Sequence, residues 1–157
     1  ICIGGDALML GYLGHDGDNP VREGWLHTGD LGRFDEDGYL SITGRIKEVI
    51  IRGGENISPK LIEDVLAALP GVAACCVVGQ ADHDLGEVPV AVIVPAAATP
   101  APDMATVRDT VQTRLGRIYV PQAIYTRDAL PENAVGKVDR KALAKWVQEQ
   151  ATERLTA

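Results

Sequence analysis

Between residues 60 and 69 the apolar side chains Leu61, Ile62, Val65, Leu66 and Leu69 return at helical spacing, while Lys60, Glu63 and Asp64 fall away from that face. This period predicts a half-buried amphipathic helix. Ser58-Pro59 supplies an N-cap followed by Pro at the first helical position, and Pro70-Gly71 stops the run. Ahead of it, Glu48 to Arg52 is a β-branched run ended by Gly53-Gly54. Two further strands are expected over about 73–79 and 88–94, joined by the polar loop Gln80 to Glu87 and followed by a surface linker of Ala and Pro from Pro95 to Pro102. Met104, Val107, Val111 and Leu115 mark a second helix closed by Gly116, and Gln122 to Thr126 a short strand. Leu143, Trp146, Val147 and Gln150 form a last helix after Asp139. The order β-α-β-β-α-β predicts an α+β domain, a small mixed sheet with helices packed on it.

The first residues follow another pattern. Residues 1–29 hold two short apolar runs between turns rich in Gly, Asp and Asn, too little for a core. They read as the remnant of an upstream β domain, and the opening Ile1-Cys2-Ile3, a short strand without an initiator Met, as a cut from something longer. Leu31 to Ile42 then forms a hairpin about the turn Asp35-Glu36-Asp37-Gly38, with Gly38 supplying positive φ. The expected division is therefore 1–29, a remnant of a larger domain; 30–47, a connecting hairpin and hinge; and 48–157, a compact domain.

Charge and composition narrow the chemistry. With 15 Lys and Arg against 22 Asp and Glu, the net charge of −7 weighs against nucleic acid and anionic membrane surfaces as partners. No apolar stretch is long enough to span a bilayer, and no basic-then-apolar signal opens the chain, so a cytoplasmic setting is expected. Cys75 and Cys76 are adjacent in an apolar run, where strand alternation sends them to opposite faces as reduced, mostly buried thiols. Cys2, His15, His27 and His83 share no metal-ligand spacing with that pair, and no metal site is expected.

Four local signals can carry chemistry. Thr28-Gly29-Asp30 is either a turn between strands or a sugar binder, because a carboxylate accepts from both hydroxyls of a ribose. In Gly44-Arg45-Ile46-Lys47-Glu48 the charges are either solvated or, at Arg45, a fork of donors for ribose or phosphate. Gly53-Gly54-Glu55-Asn56 is a tight strand-to-helix turn, or a place where backbone approaches a narrow ligand. Pro131 to Lys137 is not a Walker A loop, since Pro stands where Gly belongs and Val138 follows the Lys. Gly136 would still let the chain present Lys137 as a point charge for carboxylate and phosphate oxygens.

In order, Trp25 to Asp30, Gly44 to Pro59 and Pro131 to Lys137 resemble the late motifs of the adenylate-forming acyl-CoA synthetases, and Met9-Leu10-Gly11-Tyr12-Leu13 looks like the closing strands of that family's large N-terminal domain. The resemblance implies the C-terminal mobile lid of an AMP-forming acid–thiol ligase of fatty acid metabolism. A carboxylic acid and ATP give an acyl-adenylate, from which coenzyme A displaces AMP. It also implies that Lys137 is the catalytic lysine of adenylation, that Asp30 and Arg45 bind the nucleotide (ATP or AMP), and that Lys47 is the hinge. Gly53, Gly54, Glu55 and Asn56 would face the thiol of coenzyme A. The partner is the family's N-terminal domain in cis, which holds the acyl pocket and the magnesium-binding acid, so this chain alone is expected to be inactive. Lys stands at the hinge where many relatives carry Asp. The alternatives are the lid of a peptide-synthetase-type adenylation domain and a non-catalytic interaction module. Gly54-Glu55-Asn56 argues against the first, and the joint presence of Lys137, Asp30 and Arg45 against the second.

Overall fold

The structure is a computed structural model that describes residues 1–12 and 19–156, with side chains through residue 152. Leu13 and His15 lie outside the described residues. The chain separates into two compact units that meet in sequence between Lys47 and Glu48.

In the first unit, β1 (Cys2–Ile3), β2 (Val21–Arg22) and β3 (Trp25–His27) form an antiparallel sheet in the order β1-β3-β2. Residues 9–12 take no strand, contrary to the reading of Met9 to Tyr12 as part of closing strands, and Leu10 is 99% exposed. A strand exists by its ladder, and residues 9–12 enter none of the described ladders of this unit. β4 (Asp30–Phe34) and β5 (Leu40–Arg45) make the expected hairpin, with a bulge between Leu31 and Gly32. Its turn is held by Asp35, whose Oδ1 accepts the backbone N–H groups of Asp37 (3.1 Å) and Tyr39 (2.8 Å). A 3-10 turn, Ile46–Glu48, follows β5.

The second unit opens with β6 (Ile50–Arg52) and β7 (Glu55–Ile57), paired antiparallel through the two-residue turn Gly53-Gly54. The glycines do not lead from strand to helix as expected; they reverse the chain. Both have positive φ, 57° and 87°, which a two-residue hairpin turn demands so that its twist matches the flanking strands. Helix α1 (Pro59–Ala67) begins only after Ile57. Ser58 occupies its N-cap and Pro59 its first position, but the cap makes no side-chain hydrogen bond to the helix. β8 (Val72–Asp82) and β9 (Gly86–Pro95) run farther than the expected strands and close on a short turn, in place of the loop from Gln80 to Glu87. Helix α2 (Met104–Leu115), strand β10 (Ala123–Thr126) and helix α3 (Arg140–Thr156) complete the unit.

β8 pairs along the whole of one edge of β9, so the other edge is shared, with β10 parallel opposite residues 90–93 and β6 antiparallel at Gly86. The sheet is mixed, as expected, and its two faces are covered by different helices. On one face Ile62, Val65 and Leu66 of α1 and Val107 and Val111 of α2 pack with Val77 and Ala91. On the other, Leu143 and Val147 of α3 pack with Cys76, Val78, Val90, Val92 and Tyr125. Cys75 and Cys76 thus go to opposite faces. Trp146 of α3 closes that second layer, edge-on to Tyr125 with ring centres 5.5 Å apart and under the guanidinium of Arg127 at 4.7 Å.

One polar interaction crosses this arrangement. Among the described residues β8 pairs only with β9, which leaves the outer backbone groups of Val77 without a strand partner. Glu63 Oε1 accepts the Val77 N–H at 2.7 Å, and Arg140 donates to the Val77 carbonyl at 2.9 Å. The two side chains also grip each other through paired bonds of 2.8 Å, and Arg140 Nε reaches Glu48 at 3.0 Å. Burial works against the Arg140 charge, but the hydrogen bonds and charge of Glu63, with Glu48 behind, more than offset it and raise its pKa. Glu63, expected to face away from the helix's buried side, is in fact only 12% exposed.

Arg140→Ala strands that carboxylate beside an unpaired carbonyl, and is expected to cost about 3–5 kcal/mol in urea denaturation. Arg140→Lys should recover part of the loss, because an ammonium cannot fork. A cost for the alanine variant under about 1 kcal/mol would remove the interaction from any structural role.

The thiols give a second expectation. Burial pushes Cys75 up from 9.0 to about 11 and Cys76 to about 12. The stability each contributes by staying neutral is complete below pH 9 and is lost as pH rises through these values. Unfolding free energy should therefore fall between pH 9 and 12 more steeply in the native chain than in Cys75→Ala/Cys76→Ala; parallel curves would contradict this.

Candidate functional site

The candidate residues fall into three groups, each held by its own local device. In the first unit, the β4–β5 register sets Asp30 directly across from Arg45. Arg45 Nε donates to Asp30 Oδ1 at 2.8 Å, and its NH2 group reaches the Thr28 carbonyl at 3.4 Å. Thr28 Oγ1 accepts the Asp30 N–H at 3.0 Å, which fixes the carboxylate's stem after the turn at Gly29. Asp30 thus keeps its second oxygen for outside donors, and Arg45 keeps guanidinium donors for an anion beside it. Lys47 lies in the adjoining 3-10 turn, exposed.

The second group is the β6–β7 turn. Gly53 N–H donates to the Leu85 carbonyl at 2.7 Å, which ties this turn to the one between β8 and β9. Arg52 donates to the carbonyl of Ile118 at 2.6 Å, and Glu87 accepts the Ile51 N–H at 3.0 Å. A Cβ built at Gly54 would meet nothing within 4 Å, so its backbone borders open space. Glu55 and Asn56 are exposed beside it.

The third group is the loop ahead of α3. Asp139 N–H donates to the Pro131 carbonyl at 2.7 Å, and Glu132 bridges to Val138, so the loop closes on itself. Inside it, Asn133 Oδ1 accepts the N–H groups of Val135 and Lys137, both at 3.0 Å. Gly136, at φ 72°, makes the sharp bend that lifts Lys137 to the surface. Lys137 is exposed, and its ammonium enters none of the ion pairs among the described residues. Asp139 then caps α3 by accepting the Ala142 N–H at 3.0 Å. Chemically, the loop offers an exposed cation on a hydrogen-bonded backbone, a point charge available to anionic oxygens.

Sequence reasoning named Lys137, Asp30 and Arg45 but gave no part to Asn133, Glu48, Glu63 or Arg140. For Asn133 a signal existed, since Asn accepts from the N–H two residues on. For Glu63 and Arg140 there was none, because the partners are 77 residues apart.

The family model of the C-terminal domain of AMP-binding enzymes matches residues 61–137. The chain belongs to this family, within the superfamily of adenylate-forming acyl-CoA ligases. It is 40% identical over 151 residues to the medium/long-chain-fatty-acid–CoA ligase FadD8 of Mycobacterium tuberculosis, covering 91% of this chain and 26% of that protein. Among solved structures it is similar to o-succinylbenzoate CoA synthetase from Bacillus subtilis in complex with its acyl-adenylate intermediate. The TM-score there is 0.81 at 35% identity, over 90% of this chain and 29% of that one. The amide bond synthetase McbA from Marinactinospora thermotolerans matches at TM-score 0.76 and 37% identity, over 81% of this chain and 26% of that one. The chain therefore spans less than a third of the length of these relatives.

The Asp30–Arg45 pair is open to water, with side-chain exposures of 26% and 57%. Such a pair contributes at most about 1 kcal/mol to folding. Asp30→Asn and Arg45→Ala should each shift the denaturation midpoint by no more than that; a larger shift would make the pair structural.

Proposed function

We propose that this chain is the C-terminal lid of an ATP-dependent acid–CoA ligase. In the first half-reaction a carboxylate oxygen attacks the α-phosphorus of ATP, forming the acyl-adenylate as pyrophosphate leaves. In the second, the thiol of coenzyme A loses its proton and its sulfur attacks the acyl carbon, releasing AMP. The observation that carries this reading is Lys137, an exposed ammonium in no ion pair among the described residues, on a backbone fixed from within its own loop. Joining two anions needs such a preorganised charge, and Lys137 would supply it between the acid and the α-phosphate.

The other residues follow from this role. Asp30 would accept from the ribose hydroxyls, with Arg45 at the same nucleotide. Lys47 would be the hinge, and the backbone of Gly53 and Gly54, with Glu55 and Asn56, would border the path of the thiol. Residues 1–29 would belong to the N-terminal domain in cis, 30–47 to the connection, and 48–157 to the lid, in a cytoplasmic enzyme. Magnesium, which binds through one or two carboxylates and the substrate phosphates, would be held by the N-terminal domain. No described helix is long and apolar enough to cross a membrane. The likeness to an amide bond synthetase supports a second reading, in which an amine takes the place of the thiol.

In the full-length enzyme, Lys137→Ala should lower acid-dependent ATP–pyrophosphate exchange by about 100-fold or more. Transfer from preformed acyl-adenylate to coenzyme A should stay within about threefold of native, that being a step the lysine does not serve. Unchanged exchange would remove Lys137 from adenylation. Transfer to amines but not to coenzyme A would favour the second reading. The chain by itself should release no pyrophosphate.

A further inference from the structure

We propose that Asn133 is a positioning residue that sets the backbone from which Lys137 acts; this rests on Lys137 being the lysine of adenylation. Asn133 holds Lys137 from both sides. Its carboxamide oxygen accepts the Lys137 N–H at 3.0 Å, and its own N–H donates to the Lys137 carbonyl at 2.7 Å. The same carboxamide oxygen takes the Val135 N–H at 3.0 Å, and the Asn133 carbonyl takes the Gly136 N–H at 3.0 Å. All of residues 132–138 are exposed, so no packed side chain fixes the loop in their place. The two bonds to the carboxamide belong to the side chain of Asn133, and Ala removes both while leaving the backbone bonds available.

The consequence is one of reach. An unsupported Lys137 would sample many positions, and a misplacement of about 1 Å in a catalytic group can cost about 100-fold in rate. Asn133 touches neither substrate nor reacting atoms in this role; its effect passes through Lys137.

The test uses the full-length enzyme and ATP–pyrophosphate exchange with saturating acid. Asn133→Ala should lower kcat by about tenfold or more with KM for ATP within about threefold, and leave transfer from preformed acyl-adenylate unchanged. Asn133→Ser, whose hydroxyl still accepts from the N–H two residues on but more weakly, should fall between the two. Hydrogen exchange should show lost protection at the amides of Val135 and Lys137, with the thermal midpoint unmoved. In a Lys137→Ala background, Asn133→Ala should have no further effect on exchange. Native kcat in Asn133→Ala, while Lys137→Ala is inactive, would overturn the inference and spare the lysine's role. Additive losses in the double variant would overturn it as well. Full exchange activity in Lys137→Ala would remove both.

Discussion

The second unit depends on a guanidinium laid along a strand edge. β8 could not end the sheet with the Val77 N–H and carbonyl unsatisfied, and no further strand among the described residues pairs with them. Glu63 and Arg140 take that strand's place, one accepting and one donating, while gripping each other. Removing two charges from water is costly, and attraction alone rarely returns the cost. Here the same atoms also satisfy the strand edge, and they fix where α1 and the start of α3 stand against β8. Since Arg140 comes three residues after Lys137, the point where α3 begins also sets where the lysine loop is anchored. Glu48, a further partner of Arg140, is the first residue of the unit, so the chain's entrance is fastened at the same place.

The candidate site residues are supported differently. Asp30 and Arg45 stand on paired strands, where the register alone brings them within 2.8 Å. Lys137 stands on no regular element. Its loop substitutes a set of internal hydrogen bonds for packing, which leaves the side chain free in water while the backbone beneath it is defined. A cation that had to approach and leave a pair of anions would be poorly served by burial or by a standing ion pair, both of which would compete with that approach. The absence of a partner for the ammonium among the described residues fits such a use.

Much of this was legible in the sequence because it is local. The spacing of Ile62, Val65 and Leu66 gave α1 its buried side, alternation sent Cys75 and Cys76 to opposite layers, and Asp35 with Gly38 announced a hairpin turn. Ordered motifs singled out Asp30, Arg45 and Lys137 as candidates, and the hairpin register sets the first two against each other. What failed depended on distant partners or on competing short-range rules. Glu63 reads as solvent-facing from helical period alone, since nothing nearby hints at an arginine beyond β10. Gly53-Gly54 suggested the end of a strand, yet Ile50 and Ile57 on either side both belong in the core. The two are cross-strand partners, and a hairpin turning at the two glycines brings both to the core where a direct passage into the helix would not.

The β6–β7 turn also constrains what sequences can replace this one. Two successive left-handed residues admit glycine freely and, among side-chain-bearing types, chiefly asparagine and aspartate. Either would thicken the chain at Gly54, where the backbone now stands bare against open space. Random drift at these two codons is thus confined to a handful of outcomes, nearly all of which alter local bulk or charge. The tip of this hairpin is a narrow passage in sequence space as well as a thin edge in three dimensions.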